Sequence, residues 1–271
     1  MNARNLLCML LLASTLLGCT AKAQQARLTC LTYNVLADRD ADSRLAPLLA
    51  ILRDSDADII ALQEVAPWFL QALSANEWAK QRYNVAASTP HGSARGGLLL
   101  LSKHPAHKTS YLRLPGKQGR GVRCTHYRIG GREVRVATVH LESPLKDGPT
   151  RAVQLQHAFR LLAGAETAIL LGDVNFGDGE EPETAAIPPD FIDCWTKLRP
   201  GDPGFTWDIE ASDMARRGSF VGEQSRRIDR ILIRSTAWEP SSVTIVGAAP
   251  VSNGIFPSDH FGVLAVLKMK E

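Results

Sequence analysis

Cysteine is scarce in this chain: five of its 271 residues are cysteines, none forms a CxxC pair, and none lies in a Cys/His cluster. Zinc centres are usually built from such clusters, so the sequence argues against one. Internal repeats, low-complexity tracts and a mid-chain linker are also lacking, which disfavours solenoids and loosely joined domains. There is no long basic tail and the net charge is only +3, so a dedicated nucleic-acid arm is not indicated, although a polyanionic substrate is compatible with this charge.

Long apolar runs are equally rare, with one informative stretch at the start of the chain. Leu6–Leu17 is almost wholly apolar but too short to span a bilayer stably, which is typical of a secretory leader. It ends in Leu16-Leu17-Gly18-Cys19, which resembles a bacterial lipobox, whose cysteine becomes the lipidated first residue. A plain signal peptide cut near Ala21 or Ala23 is the alternative.

The lipobox interpretation fixes the expected organisation and location of the chain. Residues 1–18 are predicted to be a lipoprotein signal peptide, 19–26 a linker, and 27–271 a single domain. The mature protein would be extracytoplasmic and anchored to a bacterial membrane through Cys19, and Thr20 after it favours the outer membrane. We infer no protein partner and expect a monomer. Cys30, Cys124 and Cys194 then remain in an oxidising compartment, either as one disulfide plus one thiol or as free thiols.

Apolar periodicity predicts strands and helices in a mixed order. Strands are expected at 27–35, 58–62 and 97–101, and helices at 43–53 and 66–80. A hairpin is predicted around Gly130-Gly131, followed by a helix at 150–163 and a buried strand at 168–171. Strand–helix–strand units thus alternate with hairpins. The pattern predicts an α+β fold, a four-layer α/β/β/α sandwich with two mixed β-sheets packed face to face and helices outside.

Polar residues that could carry chemistry follow or interrupt the apolar strands, where a rigid scaffold can hold charged groups in a cleft. They form five clusters: Asn34; Glu64; His140 with Glu142 and Ser143; Asp173 with Asn175; and Asp229 with Asp259 and His260.

Two of these clusters point to hydrolytic chemistry. Glu64 follows a buried strand, where a carboxylate is costly unless it is paired or binds a metal such as Mg²⁺. Asp173 and Asn175 would project the same way from extended backbone, so the carboxylate can take a proton from water while the amide holds the water or an oxyanion. A salt-bridged glutamate and an Asp-x-Asn turn are the ordinary structural alternatives.

The histidines suggest phosphate as the group acted upon. His140 projects from the same strand face as Glu142 and could bind or protonate a phosphate, although a lone histidine is often structural. Asp229 interrupts a core-facing strand and needs a partner, for which His260 is the candidate. Such a pair keeps the imidazole positively charged and fixed, and able to stabilise negative charge on phosphate.

Taken in order, these motifs resemble the endonuclease/exonuclease/phosphatase superfamily with its deoxyribonuclease-I-like fold, over nearly all of 32–266. Within it, three segments are most similar to the tyrosyl-DNA phosphodiesterase branch. They are His140-Leu141-Glu142-Ser143, Phe205-Thr206-Trp207-Asp208, and Arg227-Ile228-Asp229-Arg230-Ile231 before Ser258-Asp259-His260. Many relatives are acidic two positions after the asparagine, but here that residue is Leu36, and Asp38 lies further on.

The resemblance implies a role for each matched residue. Glu64 would be the main Mg²⁺ ligand (Mn²⁺ being possible), with Asn34 and Asp259 close to the metal or its water. The catalytic residues would be Asp173, Asn175, His260, Asp229 and His140, and the phosphate-binding residues would be His140, Ser143 and Arg227. For Arg227, an ordinary surface arginine is the alternative.

The resemblance also implies the reaction class but leaves the substrate open. We expect in-line attack of water on a phosphodiester in nucleic acid such as DNA. The alternative is a phosphatase or a sphingomyelinase-type enzyme acting on a lipid or small molecule. A lipid-directed enzyme would need an exposed apolar hairpin near the site, and none is evident in the mixed, basic segment 103–117. A binding module that merely kept the fold is the third hypothesis.

Overall fold

The computed structural model describes residues 26–37, 43–86, 97–251 and 254–270. The predicted leader, Cys19 and Asp38 lie outside these residues. Within them, twelve strands and six helices alternate, joined by 3-10 turns at Leu145–Asp147 and Thr184–Ala186. The strands are β1 Arg27–Asn34, β2 Ile59–Val65, β3 Asn84–Ala86, β4 Gly97–Ser102, β5 Ala106–Arg113, β6 Gly121–Ile129, β7 Arg132–His140, β8 Thr167–Asp173, β9 Ile192–Asp193, β10 Asp229–Ser235, β11 Trp238–Val246 and β12 Gly262–Met269. The helices are α1 Leu45–Asp54, α2 Pro67–Ala75, α3 Glu77–Arg82, α4 Gly148–Leu162, α5 Cys194–Leu198 and α6 Asp213–Gly218.

The strands form two six-stranded sheets, with the orders β11-β12-β1-β2-β4-β3 and β5-β6-β7-β8-β10-β9. Each sheet has one parallel pair near its centre, β1 with β2 and β7 with β8. The other pairs are antiparallel, so both sheets are mixed.

Three apolar interfaces separate four layers. Residues such as Cys30 and Ile59 of the first sheet meet Val136 of the second, because alternate strand residues face inward. Helix α4 buries Leu155 against the outer face of the second sheet. Helices α1–α3 bury residues such as Phe69 against the outer face of the first. The predicted α/β/β/α sandwich is therefore confirmed. Among the described residues, no helix is long and apolar enough to cross a membrane.

The two ends of this sandwich differ in character. Strands β1, β2, β7 and β8 all finish at one end, which we call the cleft end, with Asn34, Glu64, His140 and Asp173. Strand β10 begins there with Asp229, because it runs antiparallel to β8. The opposite end, which we call the base end, holds the β6–β7 hairpin and the start of β1.

Several elements differ from the sequence-based expectation. The helix predicted over 66–80 is broken at Asn76, whose extended backbone separates α2 from α3. Strand β5 lies where only a polar connecting segment was expected, because an edge strand with both faces largely exposed has no apolar alternation. Helix α1 begins at Leu45 after Arg44, two residues later than the predicted start at 43.

The thiol alternatives are also resolved. Cys30, Cys124 and Cys194 are free and buried. Burial raises the pKa of all three thiols, and that of Cys124 reaches about 11.

Candidate active site

Asp173 lies at the centre of the polar residues of the cleft end. Its side chain is 1% exposed. Asn34 donates a hydrogen bond from Nδ2 to Asp173 Oδ2 at 3.0 Å, and His140 Nε2 lies 3.2 Å from the same oxygen. The other oxygen accepts the backbone N–H of Asn175 at 3.0 Å. The backbone of β8 can pass this close to β7 just before Asp173 because residue 172 is glycine. A Cβ atom at residue 172 would lie 2.2 Å from the Val139 carbonyl oxygen.

The environment of Asp173 suits a general base. Burial raises its pKa most, the nearby Asp229 carboxylate raises it further, and His260 and Asn34 counteract part of the effect, leaving the pKa at about 7. A carboxylate with this pKa is a far stronger proton acceptor than an ordinary aspartate and is still partly ionised at neutral pH.

His260 is held by a second buried carboxylate. Asp229, fully buried at the start of β10, lies 2.8 Å from His260 Nδ1 through Oδ2. Burial alone would lower the pKa of His260, but Asp229, Asp173 and Asp259 outweigh it and raise that pKa to about 10. The ring is therefore an imidazolium at neutral pH. Its Nε2 lies 3.8 Å from Asp173 Oδ2 and so faces the centre of the site.

Thr206 and Trp207 hold the Asp229–His260 pair in position. Thr206 Oγ1 accepts the backbone N–H groups of Ile228 and Asp229 at 3.0 and 2.9 Å. The Thr206 carbonyl accepts the N–H of Phe261, next to His260, at 2.8 Å. The Trp207 and His260 ring centroids are 4.9 Å apart. One short segment thus positions both members of the Asp229–His260 pair.

His140 is oriented by a residue that the sequence analysis did not single out, Arg120. The Arg120 Nη1 atom lies 2.7 Å from His140 Nδ1, and its Nη2 donates to Ser143 Oγ at 2.6 Å. A guanidinium cannot accept a hydrogen bond, so Nδ1 of His140 is the acceptor and Nε2 carries the proton that points at Asp173. No local motif marks Arg120 in the sequence, where it stands just before β6.

Gln118 completes this arm of the site. Its side-chain oxygen accepts from the Ser143 N–H at 2.7 Å, from Ser143 Oγ at 3.1 Å and from Arg120 Nη2 at 3.2 Å. Glu142 supports the same segment by accepting the backbone N–H of Gln118 at 2.9 Å. His140, Ser143 and Arg120 therefore form one pre-organised group of donors beside Asp173.

Two carboxylates, Glu64 and Asp259, provide the best candidate metal ligands. Glu64 has a left-handed backbone with φ +57° at the end of β2, and its Oε2 accepts only the Ala37 N–H, at 3.1 Å, among the described residues. Burial raises the pKa of Asp259, and the nearby Glu64 carboxylate raises it further. Two carboxylates that repel each other at a cleft wall suit a divalent cation between them.

Asn34 has only one lone pair available for a metal ion. Its amide nitrogen is engaged by Asp173, while its Oδ1 accepts the Leu36 N–H at 3.1 Å and keeps one lone pair for a metal or water. The buried group formed by Asp173, Asp229 and His260 also has ligand atoms within 4.8 Å of one another. It is the poorer metal site, because His260 is protonated and its Nδ1 is bound to Asp229.

Of the two remaining residues expected at the site, Asn175 lies in the cleft and Arg227 does not. Asn175 lies in the cleft with φ +56°, and its amide donates to the Leu141 carbonyl at 3.0 Å. Arg227 is placed elsewhere: it is 2% exposed and ion-pairs with Asp193 at 2.8 Å and with Asp178. The predicted phosphate contact of Arg227 is thus contradicted, and so is the alternative of a surface arginine.

The expected site residues meet in one cleft of about 190 Å³. Its wall contains Glu64, His140, Ser143, Asp173, Asn175, Trp207, Gly218, Phe220, Glu223, Ile228, Asp259 and His260. Asn34 and Asp229 lie directly behind it, through their bonds to Asp173 and His260. Phe220 and Glu223, which no sequence motif indicated, come from the turn after α6.

Comparison with known proteins supports this arrangement. A model of the Endonuclease/Exonuclease/phosphatase family matches residues 31–260. Tyrosyl-DNA phosphodiesterase 2 of Rattus norvegicus is 30% identical over 219 residues, covering 78% of this chain and 58% of that protein. The Homo sapiens protein is 30% identical over 221 residues, covering 78% and 59%. The chain thus spans under three fifths of the length of these relatives.

Solved structures agree on the fold. The crystal structure of D. rerio TDP2 complexed with single-strand DNA product has a TM-score of 0.79 at 22% identity, covering 90% of this chain and 100% of that one. The human Nocturnin catalytic domain with bound sulfate anion has a TM-score of 0.68 at 18% identity, covering 91% and 97%. The resemblance inferred from the strand-end motifs, including its tyrosyl-DNA phosphodiesterase branch, is confirmed.

Proposed function

The chain belongs to the Endonuclease/Exonuclease/phosphatase family, and on that basis we propose that it is an exported, metal-dependent phosphodiesterase that hydrolyses a phosphodiester in nucleic acid. One observation carries the hydrolytic proposal. Asp173, a buried carboxylate with a pKa of about 7, lies among donors from His140 and Asn34 and near the protonated His260. This arrangement combines a proton acceptor with groups that stabilise a phosphate.

Water activation falls to Asp173. A water molecule held between its carboxylate and the Asn175 side chain would lose a proton to Asp173 as its oxygen bonds to phosphorus, while the opposite ester P–O bond breaks and its oxygen leaves as an oxyanion. Asn34 keeps the carboxylate oriented through its bond to Oδ2. The raised pKa makes the transfer more favourable than it would be to an exposed aspartate.

Charge that develops on the phosphate would meet two cationic groups. His260 is held as an imidazolium by Asp229 and faces Asp173 from one side. Arg120, with His140 and Ser143, lies on the other side. Because both groups are fixed by buried partners, they need little reorganisation during the reaction.

A divalent cation fits the carboxylate side of this cleft. Glu64 would be its main ligand, with Asp259 and the free lone pair of Asn34 Oδ1 nearby. When bound, the cation would polarise a phosphate oxygen and offset the charge of the leaving group. We propose Mg²⁺, or Mn²⁺ in its place, because oxygen ligands dominate the site.

Nucleic acid is favoured as the substrate by the names of the relatives and by the lining of the cleft. Rat and human relatives are named tyrosyl-DNA phosphodiesterases, and a protein of the same fold was crystallised with a single-strand DNA product. The cleft wall includes Phe220, which is 44% exposed and whose ring suits stacking with a base or a phenol. This chain spans only part of the length of those relatives, so a nucleic-acid substrate is proposed for it here and is not taken over from them.

One observation favours a second candidate, a lipid phosphodiesterase. The turn 220–223 exposes Phe220 by 44% and Val221 fully, and Phe220 borders the cleft. The sequence analysis had found no exposed apolar segment near the site, having considered only 103–117. The patch has just two residues, so we rank this candidate second.

A substrate panel tests both candidates. The purified chain would be assayed on bis-p-nitrophenyl phosphate, single-stranded DNA, a 5′-phosphotyrosyl oligonucleotide, sphingomyelin and a phosphomonoester, with Mg²⁺ or with EDTA. We expect Mg²⁺-dependent cleavage of the diester and of at least one DNA substrate, abolished by Asp173→Asn. Cleavage of sphingomyelin alone would establish the second candidate. Cleavage of the monoester alone would leave a phosphatase, and no cleavage at all would favour a binding module.

A further inference from the structure

The base end carries an exposed cationic surface that the catalytic proposal does not use. Arg27 begins β1, Lys108 lies on β5, Arg128 lies on β6 near the hairpin, and Lys270 follows β12. All four are exposed, and none forms an ion pair with any described residue. We call these four residues the base surface.

Acidic residues around the base surface do not cancel it. Asp54, Asp56, Asp58, Glu133, Glu166 and Glu239 are each already ion-paired with a basic neighbour. Lys268, for example, is 3.1 Å from Glu239, whereas Lys270 bonds only the Ser235 carbonyl. Arg128 lies across the β6–β7 hairpin from Glu133, but among the described residues the basic side chains of this end still outnumber the acidic ones, so a positive field extends from it.

The chain enters the domain at the same end. The Ala26 carbonyl accepts the Met269 N–H at 3.1 Å, and the tip of Met269 lies 3.4 Å from where Gly130 would carry a side chain. The entry point is thus beside the β6–β7 hairpin. Seven residue-to-residue steps lead from the predicted lipid anchor at Cys19 to Ala26, a tether that can span at most about 25 Å when fully extended.

The catalytic cleft lies at the other end of the same strands. Arg27 and Asn34 are seven steps apart along β1, a distance of about 23 Å at the usual rise of a β-strand. To bring the cleft to a membrane, Ala26 would have to stand about that far above the bilayer, which would use nearly the whole tether. Contact of the base end with the membrane leaves the tether slack.

We propose that the base surface binds an anionic phospholipid bilayer and that the anchored protein therefore directs its cleft away from the membrane. The inference rests on the export within the proposed function and on the lipid anchor predicted at Cys19. A basic surface next to an anchor adds electrostatic attraction to that of the lipid chain. The orientation suits a soluble polyanionic substrate and leaves Phe220 and Val221 in solvent, which is contrary to the lipid-hydrolase candidate.

Site-specific fluorescence tests the orientation. The full lipidated chain would be labelled at Ala106→Cys, at the base end of β5, or at Val221→Cys, on the cleft rim, because the cysteines of the described domain are buried. It would be reconstituted in phosphatidylglycerol–phosphatidylcholine vesicles that carry a headgroup quencher. We expect quenching of the Ala106→Cys label and none of the Val221→Cys label. Quenching of the rim label, or of neither label, would overturn the proposal.

Charge reversal tests the cause of the orientation. The double substitution Lys108→Glu with Arg128→Glu should reduce quenching of the Ala106→Cys label at least about threefold, as should vesicles of phosphatidylcholine alone or high salt. Arg113→Glu, at the cleft end of the same strand, is the matched control and should not reduce it. Release of the label from quenching by a single-stranded oligonucleotide would show instead that the base surface binds nucleic acid.

Diester hydrolysis on the same vesicles separates this inference from the proposed function. Turnover of soluble bis-p-nitrophenyl phosphate should be unchanged in the Lys108→Glu, Arg128→Glu variant. Normal turnover without base-end quenching would refute the orientation alone. Absent turnover with base-end quenching would refute the catalytic proposal alone.

Discussion

Asp229 Oδ2 and His260 Nδ1 are 2.8 Å apart in the core of the domain, with Asp229 fully buried and His260 5% exposed. This pair keeps a positive charge at the cleft wall, because the carboxylate keeps the imidazole protonated where burial alone would neutralise it. Its other ring nitrogen is directed at Asp173, so one ion pair connects the strand core to the reacting centre.

The pH dependence of hydrolysis should reflect this pair. Asp173 acts when ionised, so the rate should fall as pH drops through about 7, and His260 acts when protonated, so the rate should fall as pH rises through about 10. Asp229→Asn removes the largest influence that raises the pKa of His260, and the alkaline limb should move to lower pH. The kcat/KM profile of both proteins on bis-p-nitrophenyl phosphate measures this. An unchanged alkaline limb in Asp229→Asn would show that His260 does not act as a cation.

Loss of the Asp173 carboxylate should abolish turnover without unfolding the protein. Asp173→Asn preserves the shape of the side chain but cannot accept a proton, so kcat should fall roughly 10²–10⁴-fold. Thermal unfolding should show no loss of stability, because a buried carboxylate with a raised pKa is itself unfavourable when ionised. Asp213→Asn, on the exposed side of α6, is the matched control and should behave as the unsubstituted protein. Wild-type turnover in Asp173→Asn would remove this residue from the mechanism.

Glu64 should control metal affinity. Glu64→Gln should weaken Mn²⁺ binding by about 100-fold or more, since loss of even an indirect partner of a metal ligand costs 10–100-fold. Mn²⁺ binding can be followed by titration calorimetry or by the paramagnetic signal of the free ion, without reference to turnover. Glu77→Gln, in an exposed pair with Lys80, serves as the control. Equal affinity in both variants would place the metal elsewhere.

Arg120 should matter for substrate binding and for the state of His140. Arg120→Ala removes the donor to His140 Nδ1 and the bond to Ser143, so kcat/KM should fall by about 10²-fold, the size expected for one lost transition-state donor. The His140 tautomer, read from its ring ¹⁵N shifts, should no longer be fixed with the proton on Nε2. An unchanged tautomer would limit Arg120 to direct contact with the substrate.

Substitution of Arg227 should lower the stability of the protein and leave substrate binding unchanged. Arg227→Met leaves Asp178 and Asp193 with only the longer ion pairs to Arg230, so the free energy of unfolding should fall by roughly 2–3 kcal/mol, discounted because Asp178 is half exposed. The KM for any diester should be unchanged at a temperature where the variant is folded. A raised KM with unaltered stability would restore the phosphate contact that the structure contradicts.

Several predicted residues that the structure gathers at the cleft were selected by one physical argument. Glu64 and Asp173 follow uniformly apolar strands, and a carboxylate in that position is costly without a purpose. Asp229 and His260 were paired for the same reason, and their contact is confirmed. The layered fold was similarly accessible, because alternation and helical spacing report which faces are buried.

The residues missed or misplaced depend on contacts between distant segments. Arg120 reaches His140 and Ser143 only because the segment before β6 folds back beside the end of β7. Arg227 finds Asp178 and Asp193, both more than thirty positions earlier in the chain. Strand β5 is defined by its partner β6 and carries no periodicity of its own. The hydrophobic pattern of a short sequence segment does not report contacts between distant segments.

The left-handed backbone at Glu64 and Asn175 has a consequence for any attempt to strengthen this protein. Residues other than glycine are disfavoured in that region by roughly 1 kcal/mol or more each. Glycine at either position should therefore relieve backbone strain while removing a cleft side chain. A screen that rewards heat resistance alone would favour such replacements, and should drift toward well-folded proteins that have lost their chemistry.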